Sequence, residues 1–143
     1  MRGQTAIACA RLAYREYKEL IGSARWKALA AQGACPQRLL WASTSTKDPA
    51  YEDVKYVEAL IGPDTVNTLP PETLAAYRDH GDPELRLRSQ MKEARKLPEQ
   101  LAALGMKLST VSDELERQGV KKFIEPYERL LALLAERAAK LTG

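Results

Sequence analysis

The chain has 143 residues, of which 45% are hydrophobic and 29% charged, and its net charge is +3. These values predict one soluble globular domain, and the mixing of basic with acidic residues predicts no nucleic-acid partner. No segment approaches the roughly 20 apolar residues of a membrane span, so we expect no membrane partner and a cytoplasmic location. Cys9, Cys35 and the single His80 are too widely separated to indicate a metal site.

The first predicted elements are two helices. Apolar residues recur at three- and four-residue steps over residues 4–21, which predicts an amphipathic helix. Gly22 is placed to end this helix, and Ser23 is placed to cap a short second helix that reaches Gly33.

A strand, a helix, a second strand and another helix follow. Residues 38–43 form a short continuous apolar run, which predicts a strand buried on both faces. Residues 64–69 predict the second strand, after a helix that Gly62-Pro63 ends, and Pro70-Pro71 opens the next helix. This order predicts a βαβ unit with parallel strands, whose open edges need further strands or a second subunit to cover them.

The remainder of the chain is predicted to be helical. Residues 84–104 are charged and helical in pattern, with a break or a restart at Leu97-Pro98. Ser109 is placed to cap a helix that Gly119 closes. A last helix, with Pro126 in its first turns, then carries a leucine-rich stripe.

Hydroxyl side chains and one lysine follow the first predicted strand. A run of four hydroxyl residues begins with Ser43 and Thr44, and Lys47 comes directly after it. Such groups suit an anion, for example a sugar phosphate, at the carboxyl end of a parallel strand. Asn67 lies near the end of the second predicted strand, at the same edge. The alternative is a solvated loop in which Lys47 pairs with Asp48.

Four segments of the chain have an order and spacing that chance does not reproduce. They are Leu40-Trp41-Ala42-Ser43-Thr44, Lys47-Asp48-Pro49-Ala50-Tyr51, Tyr56-Val57-Glu58 and Leu60-Ile61-Gly62-Pro63-Asp64-Thr65-Val66-Asn67-Thr68-Leu69-Pro70. These segments closely resemble transaldolases, namely the longer bacterial subfamily that includes the form fused to glucose-6-phosphate isomerase. The opening from Arg2 to Tyr14 and the segment from Gly119 to Phe123 resemble the same family.

The resemblance implies an α/β fold that is the C-terminal part of a (β/α)8 TIM barrel, mostly helical by content. Residues 38–43 and 64–69 would be its seventh and eighth strands. Residues 1–143 would be a single segment, with barrel helices and the last two strands in residues 1–81 and C-terminal helices in residues 82–143.

The resemblance also implies a reaction. Transaldolases transfer a dihydroxyacetone unit between sugar phosphates in the pentose phosphate pathway, through a lysine Schiff base and without a cofactor. Lys47, Ser43 and Thr44 would bind the substrate phosphate, and Asn67 would lie next to the substrate. The family's Schiff-base lysine stands in a strand of Ile-Lys-Val-Pro type, which this sequence lacks. We therefore assign no catalytic residue and expect the isolated chain to be inactive.

Two further interpretations concern Lys47 and the chain as a whole. Lys47 is a poor candidate for the Schiff-base nucleophile, because a lysine in a polar loop is neither desolvated nor beside another cation. The chain as a whole has an alternative function, as a helical structural or interaction protein that self-associates through the exposed edges of its strands.

Overall fold

The computed structural model describes residues 2–142, without the side chain of Thr142. Over these residues the elements are α1 (Thr5–Gly22), α2 (Ala24–Ala30), β1 (Leu39–Trp41), α3 (Lys55–Ala59), β2 (Thr65–Asn67), α4 (Pro71–His80), α5 (Met91–Arg95), α6 (Leu97–Ala103) and α7 (Leu108–Thr142). The chain divides into two compact units, Met1–Leu97 and Pro98–Gly143. The predicted division at residue 81 separates barrel elements from C-terminal helices. It stays a prediction, because the two units are groups of residues in spatial contact and do not test it.

Helices α1 and α2 form where the sequence predicts them. α1 buries Ile7, Tyr14 and Tyr17, which share one face of the helix. Ser23 caps α2, since its Oγ accepts a hydrogen bond from the Trp26 N–H at 3.1 Å. This bond satisfies one of the backbone donors that the first turn of a helix leaves unpaired.

The two strands form a parallel pair. Leu39 lies opposite Thr65, and Trp41 lies opposite Asn67. The predicted parallel βαβ unit is therefore confirmed, although each strand has only 3 residues.

The helix between the strands, α3, is shorter than the apolar spacing suggests. The segment before it folds into a turn, in which the Asp48 Oδ1 accepts a hydrogen bond from the Ala50 N–H at 2.9 Å. The Tyr51 N–H also donates to the Asp48 carbonyl, at 3.1 Å. An aspartate that bonds to the backbone two residues on competes with helix formation, which delays the start of α3 to Lys55.

The prediction that the first strand is buried on both faces is wrong. Leu39 and Trp41 pack against the core, whereas Leu40 is 54% exposed. Successive side chains of a strand point to opposite faces. Among the described residues the core covers only one face of β1, so the side chain between the two packed ones stays open to solvent.

The core of the first unit joins α1 to the segment after α4. Its buried cluster consists of Ile7, Tyr14, Tyr17, Leu60 and Leu87. Leu87 is 0% exposed, and its N–H donates to the Ile61 carbonyl at 2.9 Å. A Cβ at Gly62 would come within 2.6 Å of the Leu87 Cδ2, so the glycine permits this close packing.

Hydrogen bonds from α1 hold the segment that precedes α5. Arg11 is buried and donates to the Gln90 Oε1 at 3.0 Å and to the Ser89 Oγ at 3.1 Å. Burial lowers the pKa of the Arg11 guanidinium. Residues 82–90 are not helical, which corrects the predicted helix over 84–104, while the restart at Leu97 is confirmed.

The predicted pair of C-terminal helices is one continuous helix, α7, of 35 residues. Gly119 does not close a helix there. The described glycines with positive φ are Gly3, Gly33 and Gly105, so Gly119 lacks the left-handed backbone of a glycine helix end. Pro126 correspondingly lies in the helix interior and not in its first turns.

The two cysteines differ in their surroundings. Both are free; Cys9 is half-buried and Cys35 is exposed. Burial raises the pKa of the Cys9 thiol. No described helix is both long and apolar enough to cross a membrane.

Candidate functional site

The segments that follow β1 and β2 meet at one edge of the parallel pair. Because the strands are parallel, Trp41 and Asn67 end them at the same side. Thr68 fixes this junction, since its N–H donates to the Trp41 carbonyl at 3.0 Å and its Oγ1 donates to the same oxygen at 3.2 Å. The edge is the carboxyl end of the strands, where α/β proteins place their ligand sites.

Two of the predicted site residues contact each other directly. Thr44 is only 3% exposed, and its Oγ1 donates a hydrogen bond of 2.9 Å to the Asn67 Oδ1. The bond links the loop after β1 to the last residue of β2. The Thr44 hydroxyl therefore donates its hydrogen within the protein, and this bond fixes the position of the Asn67 side chain.

Ser43 and Lys47 are the exposed members of the predicted set. Ser43 has a left-handed backbone, with φ of 57°, which is uncommon for a residue with a side chain and turns the chain sharply after β1. Lys47 forms no ion pair with any described residue. The alternative pairing of Lys47 with Asp48 does not form among these residues, and the Asp48 Oδ1 accepts a hydrogen bond from the Ala50 N–H instead.

Two cavities share this loop. The first has a volume of about 560 Å³ and the second about 460 Å³. Ser43, Ser45 and Lys47 line both cavities. The lining of the first is completed by Ala6, Ile7, Ala10, Trp41, Ala42, Thr44, Asp48, Tyr51, Tyr56 and Leu60, and that of the second by Thr68, Leu69 and Pro70.

The shared lining offers two hydroxyls and one ammonium group to a ligand. An ammonium without an ion pair attracts an anion, and hydroxyl donors complete hydrogen bonds to its oxygens. Ser45 was not predicted individually, although it belongs to the same run of four hydroxyl residues. The signal was present in the sequence, because Ser45 lies between Ser43 and Lys47 in the same polar run.

Asp53, on the turn beside the site, pairs with His80, the last residue of α4. The His80 Nε2 is 2.9 Å from the Asp53 Oδ1, and the Thr46 Oγ1 donates to the Asp53 carbonyl at 3.2 Å. The hydrogen bond with Asp53, followed by that with Asp79, raises the pKa of His80. The hydrogen bond with His80 lowers the pKa of Asp53. The pair ties the end of α4 to the turn before α3.

The described part of the chain brings together no group of three or more histidine, cysteine, aspartate or glutamate side chains that could hold a metal ion.

Comparisons with known proteins match nearly the whole length of the chain. The chain is 49% identical over 144 residues to a transaldolase of Trichodesmium erythraeum (strain IMS101), a match that covers 99% of this chain and 38% of that protein. It is also 49% identical over 144 residues to transaldolase 2 of Nostoc punctiforme, with the same two coverages. A transaldolase of Frankia alni is 48% identical over 141 residues, which are 98% of this chain and 38% of that protein.

The chain thus spans about 38% of the length of these curated relatives, which agrees with the expectation that it corresponds to one part of the family's fold. The model of the family described as transaldolase/fructose-6-phosphate aldolase matches residues 1–134. On these grounds the chain belongs to the transaldolase/fructose-6-phosphate aldolase family.

Proposed function

We propose that this chain supplies the phosphate-binding edge of a transaldolase active site. The observation that carries the proposal is that Ser43, Ser45 and Lys47 line both cavities at the carboxyl edge of the parallel strands. Barrel enzymes bind their substrates at this edge. The family and the names of the relatives supply the class of reaction.

The proposed reaction is the transfer of a dihydroxyacetone unit from a ketose phosphate to an aldose phosphate, within the pentose phosphate pathway. In the complete enzyme a barrel lysine forms a Schiff base with the donor carbonyl, and the iminium accepts the electron pair of the breaking carbon–carbon bond. The residues of this chain bind and orient the phosphate. Lys47 offsets its charge, Ser43 and Ser45 donate hydrogen bonds, and Thr44 holds Asn67 beside the substrate.

Lys47 is not the nucleophile in this proposal. A nucleophilic lysine needs desolvation or a neighbouring cation, whereas Lys47 is exposed. The 143-residue chain also carries no strand of Ile-Lys-Val-Pro type, so we propose that it forms no Schiff base by itself. Incubation with fructose 6-phosphate, reduction with borohydride and intact-mass measurement should give no adduct. A stable adduct on Lys47 would show that this assignment is wrong. A cytoplasmic location belongs to the same proposal.

Phosphate binding is tested separately from catalysis. In an NMR titration, fructose 6-phosphate should shift the backbone signals of residues 43–47, and fructose at the same concentration should not. Lys47→Ala should raise the Kd at least tenfold, because a hydrogen bond to a charged group contributes about 1.5–3 kcal/mol and every ~1.4 kcal/mol corresponds to a factor of ten. Lys27→Ala, on the exposed surface of α2, removes the same charge and should leave the Kd unchanged. Equal effects of the two substitutions would contradict the assignment.

A second candidate function is self-association, and α7 favours it. Its apolar side chains at Val120, Ile124, Tyr127, Leu131 and Leu134 follow the alternating four- and three-residue steps of a coiled coil, and all are exposed. The occupant of this stripe would be the α7 of a second copy, since the repeat is complementary to itself. The edges of β1 and β2, where self-association was first expected, are the other surface open to a second copy.

Light scattering during size-exclusion chromatography tests this second function. Leu131 lies in the stripe and Leu133 lies outside it, and their exposures are matched at 48% and 50%. If α7 pairs with a second copy, Leu131→Lys should lower the oligomer mass and Leu133→Lys should not. A monomeric wild-type chain, or an equal response to both substitutions, would exclude pairing through the stripe.

A further inference from the structure

The cavity of about 560 Å³ has two chemically different parts. Its mouth carries Ser43, Ser45 and Lys47, the residues that it shares with the second cavity. Asp48 also lines the cavity, and its carboxylate accepts a hydrogen bond from the Ala50 N–H. Behind the mouth, between the start of α1 and the start of α3, the lining is mainly aromatic and aliphatic. The side chains that form these walls are Ile7, Ala10, Trp41, Tyr51, Tyr56 and Leu60.

The phosphate group of a sugar phosphate can bind at the mouth, but its sugar gains little from contact with the walls. The hydroxyls of a sugar need several hydrogen-bond partners, and these walls supply few. Their polar atoms are the hydroxyls of Tyr51 and Tyr56 and the Nε1 of Trp41, which has no partner within the described residues. An apolar group gains from the same walls, because its surface leaves water. The volume is within the range of small-molecule sites, which combine apolar walls with a few polar groups that fix orientation.

We propose that this cavity binds phosphate monoesters of apolar alcohols. The phosphate would lie against Lys47 and the two serine hydroxyls, and the aryl or alkyl group would enter the cavity toward Trp41. The inference rests on the proposed function only for the phosphate position. The apolar part of the cavity is separate from the second cavity, whose further lining is Thr68, Leu69 and Pro70.

The expected consequence is a ligand preference that the phosphate group alone does not explain. Phenyl phosphate should bind at least tenfold more tightly than inorganic phosphate, because both engage Lys47 and only the ester fills the apolar part. The indole N–H signal of Trp41 should shift with phenyl phosphate, and that of Trp26 on α2 should not.

The test is an NMR titration of the 143-residue chain with phenyl phosphate and, separately, with inorganic phosphate. Ala6→Leu narrows the cavity from an exposed position on α1, and Ala13→Leu makes the same change two helical turns away, outside the cavity lining. Ala6→Leu should reduce phenyl phosphate binding to the level of inorganic phosphate and leave inorganic phosphate binding unchanged. Ala13→Leu should alter neither.

The outcomes separate the two proposals. Equal binding of both probes, or equal effects of Ala6→Leu and Ala13→Leu, would overturn the apolar site while phosphate binding at Lys47 still stands. Binding of neither probe would overturn both. Tighter phenyl phosphate binding that persists in Lys47→Ala would overturn the placement of the phosphate at the mouth.

Discussion

Replacing Thr44 with valine tests whether the loops after β1 and β2 are held together by one hydrogen bond. Valine keeps the shape of threonine and removes the hydroxyl that donates to the Asn67 Oδ1 at 2.9 Å. The side chain is buried, so water does not replace the lost bond. The amide oxygen of Asn67, on a half-buried residue, is left partly unsatisfied.

The expected loss of stability depends on how deeply Thr44 and Asn67 are buried. A neutral hydrogen bond contributes about 0.5–1.5 kcal/mol, and an unsatisfied buried acceptor costs about 1–3 kcal/mol. Because Asn67 retains some access to water, we expect Thr44→Val to lower the free energy of unfolding by about 1–2 kcal/mol. For a unit of this size the melting temperature should fall by roughly 4–16 °C.

Tryptophan fluorescence during urea unfolding is the appropriate assay, because Trp26 and Trp41 both lie in the unit Met1–Leu97. A double-mutant cycle with Asn67→Ala should give a coupling of about 1 kcal/mol. Thr5→Val is the control, since the Thr5 side chain makes no hydrogen bond within the described residues. A coupling below about 0.3 kcal/mol would refute the reasoning, because the two substitutions would then act independently.

Three other predictions follow from particular contacts. His80, the single histidine, should titrate above the ordinary value of about 6.5 in an NMR experiment, and Asp53→Asn should lower its midpoint. Leu87→Ala should cost about 2–5 kcal/mol in urea unfolding, whereas Leu85→Ala, at 71% exposure, should change stability by no more than about 0.5 kcal/mol. Gly119→Ala should stabilise α7 by roughly 0.5–1 kcal/mol, visible as higher helicity on heating, because alanine has the higher helix propensity and the added methyl group meets no atom beyond the neighbouring helix backbone within 4 Å.

The sign of the His80 effect on stability follows from its raised pKa. A group whose pKa is higher in the folded chain contributes stability that is complete below its unfolded pKa, about 6.5, and is lost as the pH rises through the folded value. Unfolding of the wild type should therefore become easier as the pH rises above about 6.5. The variant His80→Gln should lose this dependence, and an unchanged pH profile would contradict the role of the Asp53 contact.

Local signals in the sequence were sufficient to predict the features that depend only on residues close together in the chain. Ser23 caps α2 through a bond that spans three residues, and Pro71 occupies the first turn of α4. The parallel pairing of the strands was also predictable, because an intervening helix favours a parallel crossover. Family membership supports the predicted fold class, part of an α/β barrel that is mostly helical.

The wrong predictions share one physical cause. Each inferred a helix end or a buried position from the intrinsic preference of a single residue, without the residues around it. Gly119 costs a helix only about 1 kcal/mol, so the apolar pattern on both sides of it carries α7 through. Pro126 weakens one turn without ending the helix. Leu40 is apolar, yet its burial depends on what lies across the strand face and not on its own character.

The sequence was sufficient to predict which kinds of residue form the site, but not how these residues are arranged in space. The hydroxyl run and Lys47 stand out in the sequence because they come directly after a short apolar run. The hydrogen bond between Thr44 and Asn67 spans 23 residues, and no local rule predicts it. The apolar cavity behind the loop arises from residues on α1, β1 and α3 together, so it exists only once these elements have packed.

The contrast between the two cysteines makes the native sequence suitable for selective labelling. Thiolates react with maleimides and iodoacetamides, and a buried thiol with a raised pKa supplies fewer of them. At neutral pH a reporter should therefore attach to Cys35 and spare Cys9. A fluorophore or spin probe at Cys35 would follow the connector between α2 and β1 during folding without any substitution in the chain.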